Sequence, residues 1–441
     1  MQDLGKVNLL LFTSGKISGS YGGGQIYIQN LLAGFAEQNF PVSIFTFVSG
    51  ESCVTRSSYY GHTVYEIVGN SQYQNEQARI LIQELKPEII HAHGAKELAL
   101  DLGKEYSIPC VVTAHHGGII CPGGALLNCC DEICNDAVSD RNCLRCVCRN
   151  IPGGYWFWYF LLRSIPLSLR IKLADFFAKR RFILFLTPVF TATSIIQSKL
   201  RIIEKLRSAD LILSPCQRMF DIFKWNGVRE NITIFPHCIP ELKRSLLPEI
   251  KDKIRFFFIG RICYVKGVHV MLEAFRKLPQ ETYELHIIGE GANKGEKSYC
   301  NKLHSQYSKL SVVWHGKLPH DRITEVIEQC HVMIHPAICL EIFGLTIAES
   351  LSIGRPVLAT RCGGAEMQIK DGINGWLIPP NDVNAMRNKL EDIIESKSKI
   401  YSVAEYKNNY DFKDYLQSLM IVYKKNSRIK DNLKLNSEGE K

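Results

Sequence analysis

"HVMIHPAICLEIFGLTIAESLSIGRPVLAT", residues 331–360, reads as one β-α-β unit. "HVMIHP" is a short apolar run of strand type that ends in proline, and "AICLEIFG" is the loop at its carboxyl end. "LTIAESLSIG" has the spacing of a helix that stops at Gly354, and "RPVLAT" is the next apolar run. Short, nearly continuous apolar strands joined by helices pair in parallel and are covered on both faces. The loop and helix of this unit carry two carboxylates, Glu341 and Glu349, with no basic partner three or four residues away of the kind that surface charges usually have. Glu349 lies about five residues into the helix, about 7–8 Å from its start at about 1.5 Å per residue. Backbone N–H groups at that start, freed by Gly344, suit a phosphate. A sugar nucleotide fits this ruler, with the sugar at Glu341, the diphosphate at the helix start and the ribose hydroxyls at Glu349.

The same rhythm extends both ways along the chain. "VNLLLF", a helix from about Gly24 to Glu37, "VSIFTF", a helix ending near Leu85, "EIIHAH" and "CVVTAH" form a first βα series, which resumes at "ADLILSP" and ends at "NITIFP". After the Pro-rich, charged stretch "PHCIPELKRSLLPEIKDK", which reads as a linker, "IRFFFIG", "ELHIIG", "VVWHG", "VMIHP" and "PVLAT" form a second series. The expected fold is α/β, with two Rossmann-like, doubly wound parallel-sheet domains facing a central cleft at the carboxyl ends of their strands. Residues 1–240 form the first domain, interrupted at about 117–207. Residues 241–425 form the second, with a last helix at about 403–424 that can pack back on the first, and 426–441 read as a frayed polar tail. "ADLILSP" and "CHVMIHP" look like equivalent strands of two similar halves.

With 441 residues, 46% hydrophobic and 22% charged, the chain is an ordinary globular protein in composition, long enough for two cores. Its net charge of +9 is concentrated. Residues 151–207 hold ten Lys or Arg against Asp175 and Glu204, an excess of +8, together with "YWFWYFLL" and "RFILFLTPVFTATSII". Basic residues among clustered aromatics suit an anionic membrane surface; a helical insertion with solvated basic faces would have the same composition. The apolar run Phe182 to Ile196 contains Pro188 and is shorter than a bilayer span. "VNLLLF" lacks the pattern of a secretory signal. The expectation is a cytoplasmic protein held peripherally at the membrane.

Seven of the sixteen cysteines lie between Cys121 and Cys148. The Cys143-x-x-Cys146 pair and the Cys130/Cys134 spacing are those of zinc thiolates, which makes Cys121, Cys130, Cys134, Cys143 and Cys146 candidate ligands of a structural zinc. Redox use and uncoordinated thiols compete with that reading, as does a disulfide framework, which belongs to oxidising compartments.

Further residues with chemistry stand at strand ends. Arg261 and Lys266 lie on "IGRICYVKG" after "IRFFFIG", "SGSYGGGQ" follows the first strand with Gly23 and Gly24 at a helix start, and "GEG" supplies Gly289 and Gly291. The last is no dinucleotide fingerprint, since the next glycine is at 295. There is no Asp-x-Asp.

"EIFGLTIAESLSIGRPVLATRCGG" followed by "DGINGWLIPPND" resembles the Glu-x7-Glu signature and downstream block of retaining, GT-B-fold glycosyltransferases of family 4, and the other motifs stand in that family's order over most of the chain. The resemblance implies that Glu341 holds donor-sugar hydroxyls, Glu349 the ribose, and Arg261 and Lys266 the departing diphosphate without a divalent ion. By the same resemblance Gly23, Gly24, Gly289, Gly291, Phe343, Gly344 and Leu345 line the donor, and His115 of "VVTAHH" contacts the transferred sugar. His116 stands where the family has Asp or Asn, and Met367, beside Glu366, replaces a frequent glutamate. The Cys-rich insertion is similar to that of a subset of the family, and a role in acceptor selection is expected for it and for the basic aromatic helices.

The implied function is transfer of a sugar, with retention, from a nucleotide-diphosphate sugar to an acceptor hydroxyl in polysaccharide or lipid-linked glycan synthesis. No catalytic cofactor and no nucleic acid are expected. The rival readings are a glycan phosphorylase or epimerase on the same fold, and a non-catalytic zinc-bearing protein that binds membrane or nucleic acid.

Overall fold

The computed structural model describes residues 7–19, 22–149, 155–179, 187–406 and 411–438. The first domain runs β1 (Leu9–Ser14), α1 (Gly23–Glu37), β2 (Val42–Val48), β3 (Cys53–Tyr59), β4 (His62–Val68), α2 (Ser71–Leu85), β5 (Ile89–Ala92), α3 (Lys96–Glu105) and β6 (Cys110–Thr113). The insertion contributes α4 (Asp140–Arg149), α5 (Tyr155–Ser164), α6 (Leu167–Lys179) and α7 (Thr187–Arg207). Strand β7 (Leu211–Ser214), α8 (Gln217–Trp225) and β8 (Ile232–Ile234) complete the sheet, in the order β3-β4-β2-β1-β5-β6-β7-β8.

The second domain begins with β9 (Ile254–Ile259), α9 (Val268–Phe275), β10 (Tyr283–Ile288), α10 (Lys294–Gln306), β11 (Val312–Gly316) and α11 (His320–Glu328). It continues through β12 (Val332–His335), α12 (Leu345–Ser352), β13 (Val357–Thr360), α13 (Gly364–Gln368), β14 (Gly375–Ile378), α14 (Val383–Glu395) and α15 (Lys397–Ala404). Its sheet is ordered β11-β10-β9-β12-β13-β14. Helix α16 (Phe412–Glu438) closes the chain.

The expected α/β fold with two parallel-sheet domains is the one observed. β1 is apolar at its first four positions because it lies between β2 and β5, with helices over both faces, so alternation would place polar groups in a core. Each sheet has two cores, one on each face.

Three expectations are corrected. The first sheet is not wholly parallel: β3 turns back through Tyr60 and Gly61 and pairs antiparallel with β4. Its mostly exposed side chains match an edge strand rather than a buried one, so it carries no apolar run to read. "ADLILSP" and "CHVMIHP" are not equivalent strands. β12 lies beside β9, as β5 lies beside β1, whereas β7 is two strands beyond β5. The stretch from 426 continues α16 as far as Glu438 instead of fraying.

Helix α16 leaves the second domain and lays Leu416, Leu419, Met420 and Tyr423 into the core formed by α1 and β1. Gly34 on α1 makes room for it, since a Cβ there would stand 2.5 Å from Leu416. The insertion has a small core of its own, where Leu144, Val147, Trp158, Leu162, Ala192 and Ile196 pack together. Arg180, Arg181 and the "RFILFL" part of the basic run fall outside the described residues.

Candidate active site

Gly344 starts α12 with φ +78°, a conformation that costs glycine least, and turns the loop so that Phe343 is buried and Leu345 opens the helix. The loop is pinned at its base: Glu341 N–H donates to the Cys362 carbonyl at 2.9 Å, and Gly364 N–H donates to the Glu341 carbonyl at 2.7 Å. Glu366 is engaged by its own helix, accepting from Gly363 N–H at 2.9 Å. Met367 packs against the first domain's core, so this position contributes an interdomain contact.

The Lys266 ammonium donates to the Glu341 carboxylate. Burial pushes the Glu341 carboxyl up, but the Lys266 ammonium, through its charge and its hydrogen bond, outweighs it and holds the group below its ordinary range. Lys266 correspondingly stays above its own ordinary range, the glutamate overcoming burial. Burial depresses His335 to about 4, so the imidazole 3.8 Å from Glu341 is neutral near pH 7. Arg261 lies at the rim with half its side chain exposed, 3.5 Å from Glu296. Gly289 packs on the loop that carries Arg261, where a Cβ would stand 1.9 Å from the Gly260 carbonyl oxygen. Gly291 packs equally closely on Glu296. Glu349 has no hydrogen-bond or ion-pair partner among the described residues, and burial raises its carboxyl to about 7.

The first domain supplies the facing wall. A Cβ on Gly23 would stand 3.5 Å from Leu345 and one on Gly24 would stand 3.9 Å from His115, so the glycine loop, the histidine and the start of α12 meet across the cleft. His115 and His93 share a hydrogen bond of 2.7 Å. The His237 ring lies 5.1 Å from His115, 4.1 Å from Tyr27 and 5.4 Å from Phe343. Burial is the main reason that His93 and His115 lie well below their ordinary range and His237 at about 3, so the cluster is uncharged near neutral pH. Neutral imidazoles present both a donor and an acceptor to a sugar hydroxyl.

Sequence reasoning missed His93, His237 and His335. Each carries a signal that could have found it, the one that marked His115: a histidine at or just beyond the carboxyl end of an apolar strand. His237 follows β8 in a stretch whose composition reads as linker. His116 is exposed beside the cluster.

The Cys-rich segment lies against the site. Leu127 and Ile133 pair across a hairpin whose tip, Asp131, accepts from the Tyr264 hydroxyl at 3.1 Å and pairs with Arg149 at 2.8 Å. Tyr264 belongs to the loop between Arg261 and Lys266, so the insertion touches the candidate phosphate loop. All the cysteines are free thiols. Among the described residues no group of three His, Cys, Asp or Glu side chains is close enough to hold a metal ion, although Cys121 and Cys134 lie near enough to Cys143, and Cys134 and Cys143 near enough to Cys146, to act on those thiols. Cys130 is exposed at the hairpin turn, whereas Cys143 and Cys146 lie on α4.

Comparison with known proteins matches the model described as Glycosyltransferase Family 4 to residues 21–127 and the one described as Glycosyl transferases group 1 to residues 241–411. An uncharacterized glycosyltransferase of Methanocaldococcus jannaschii is 22% identical over 190 residues, 41% of this chain and 48% of that protein. The chain spans about half or less of the length of the curated relatives it matches. Among solved structures, the sucrose-phosphate synthase of Thermosynechococcus elongatus superposes with a TM-score of 0.64 at 15% identity, over 99% of this chain and 100% of that one. Anabaena HepE in complex with UDP and glucose superposes with a TM-score of 0.61 at 16% identity, over 97% and 99%. The chain therefore has the GT-B fold, and its first and second domains each contain a segment that matches a glycosyltransferase model.

Proposed function

We propose that the protein is a retaining glycosyltransferase that moves a sugar from a nucleotide-diphosphate sugar to an acceptor hydroxyl in the synthesis of a polysaccharide or lipid-linked glycan. The observation that carries this reading is the spacing along one short segment: Glu341 ion-paired to Lys266, the start of α12 at Gly344, and the unpartnered Glu349 within that helix. The binding of UDP and glucose by a protein of the same fold agrees with such a donor.

In this reading the sugar lies between Glu341 and His115, the diphosphate lies at the α12 N-terminus, and Glu349 accepts from the ribose hydroxyls. As the glycosidic bond breaks, negative charge grows on the diphosphate, and in this reading the helix N–H groups, Lys266 and Arg261 stabilise it. Among the described residues no second carboxylate stands in the role of a nucleophile, and in this reading the acceptor attacks from the face that the diphosphate leaves, with a phosphate oxygen taking the acceptor's proton. Neutral His115, fixed by His93, orients a sugar hydroxyl.

On the acceptor side, α5 and α6 expose Trp156, Phe157, Phe160, Leu169 and Phe176 beside basic side chains, a surface suited to anionic lipid. Among the described residues no helix is long and apolar enough to cross a membrane. A peripheral position would bring a lipid-linked acceptor to the cleft.

Calorimetric titration with UDP- and GDP-sugars in the presence of EDTA tests the donor site. Binding to one class of donor, weakened about tenfold or more in Glu349→Ala, is the expected result. Absence of binding to every donor would overturn the reading.

A further inference from the structure

Lys96 and Lys199 stand on the first domain's side of the cleft, next to the histidine cluster but outside the donor site. Lys96 is the first residue of α3, just beyond the carboxyl end of β5, and its ammonium donates to the His93 carbonyl. Lys199, on α7, donates to the Gly118 carbonyl just after His115 and His116. Helices α3 and α7 pack on each other, and the two ammonium groups lie near enough for the charge of Lys199 to act on Lys96.

Both lysines are half-buried, and neither has a carboxylate partner among the described residues. The acidic groups of α3 that could have neutralised them are occupied elsewhere: Glu97 and Asp101 pair with Lys205 at 3.0 and 2.7 Å. Burial lowers Lys96 to about 8, and the charge of Lys199 adds to the effect. Lys199 is lowered by burial as well. The exposed His116 feels both ammonium groups. Glu97 acts on Lys199 only at a distance and against burial, so two like charges in a partly desolvated wall remain costly unless a ligand of the opposite sign arrives.

We infer that Lys96, Lys199 and His116 form an anion subsite that takes a phosphate group of the acceptor, close to the hydroxyl that attacks the sugar. The inference rests on the glycosyltransferase reading for the word acceptor, while the subsite itself rests on the two lysines. It gives the departure at His116 a purpose, because an Asp in that position would repel the same phosphate. The phosphate can belong to a soluble sugar phosphate or to a lipid headgroup, which offer the lysines the same dianionic or monoanionic oxygens.

The test uses the full chain saturated with UDP, which occupies the nucleotide phosphate site, and two probes: glycerol 3-phosphate by calorimetry, and vesicles of phosphatidylcholine with or without phosphatidylglycerol by co-sedimentation. Glycerol 3-phosphate binding that weakens about tenfold or more in Lys96→Met and Lys199→Met, with Lys199→Arg retaining it, supports a subsite for soluble phosphate. No glycerol 3-phosphate binding, but phosphatidylglycerol-dependent sedimentation that falls in both Met variants and survives in Lys199→Arg, supports a lipid phosphate. Affinities for both probes that are the same in wild type and both Met variants would overturn the inference. UDP binding is recorded separately. If UDP does not bind, the donor reading has failed, and the same titrations on the free protein still decide the subsite by their dependence on the two lysines.

Discussion

Glu349 and Glu341 are the same residue type eight positions apart, and their surroundings push them in opposite directions. Glu341 meets Lys266 and stays charged, whereas Glu349 meets no cation and is raised to about 7. A carboxyl raised above its unfolded value keeps its proton in the folded protein after the unfolded chain has lost it. Stability from this group is therefore fully present near pH 4 and declines as the pH rises to about 7. Glu349→Gln is expected to raise unfolding stability at pH 8 by about 1–2 kcal/mol, short of the full shift because the group is only half-buried, and to leave it unchanged near pH 4. Denaturant titration at the two pH values measures this. The sequence makes the two glutamates conspicuous by their missing basic neighbours. It does not distinguish their charges, because Lys266 comes from a loop 75 residues away.

At the scale of the element, α5 is amphipathic in an unusual sense: Trp158 and Leu162 bury into the insertion's small core while Trp156, Phe157 and Phe160 face outward. Trp156 stacks with Phe160 and lies under Arg145 at 5.2 Å, which places a cation and an apolar surface side by side. Replacing Phe157 and Phe160 together by Ser should abolish most co-sedimentation with anionic vesicles while the melting temperature moves by only about 1–2 °C, because neither ring belongs to the core. Unchanged sedimentation would remove the membrane role from this helix. The aromatic run was legible as a cluster, and its division into core and surface faces was not. Ten residues rich in apolar side chains have no polar face to set the register.

At the scale of the molecule, several contacts tie the two domains together. Leu340 and Ile342 of the Glu341 loop enter the first domain's core, the Asp131 hairpin reaches Tyr264, and α16 crosses back to α1 and β1. The last tie also fixes the histidines: Tyr423 bonds His91 at 2.7 Å, and Tyr415 bonds Tyr27, whose ring lies over His237. Leu419 is fully buried in that joint, so Leu419→Ala is expected to cost about 2–5 kcal/mol. The loss should appear in the unfolding of the first domain, although the residue follows the second in sequence. Thermal unfolding followed by Trp fluorescence and by hydrogen exchange of α1 would locate it.

The alternation of strands and helices and the two-domain plan were legible in the sequence alone, apart from the edge strand β3, because parallel strands depend on local periodicity; the donor-side candidates were named there from glycines and charges at strand ends. The β-α-β unit at 331–360 holds Glu341, Gly344 and Glu349 at distances set by helix geometry, whatever surrounds it. Only the tertiary structure decided which charges are neutralised, that four histidines from separate segments (His91, His93, His115 and His237) form one neutral cluster, and that Lys96 and Lys199 stand beside that cluster with no ion-pair carboxylate among the described residues. Those outcomes depend on burial and on through-space contacts between residues as far apart as 388 positions, and neither quantity is written in any local stretch of sequence.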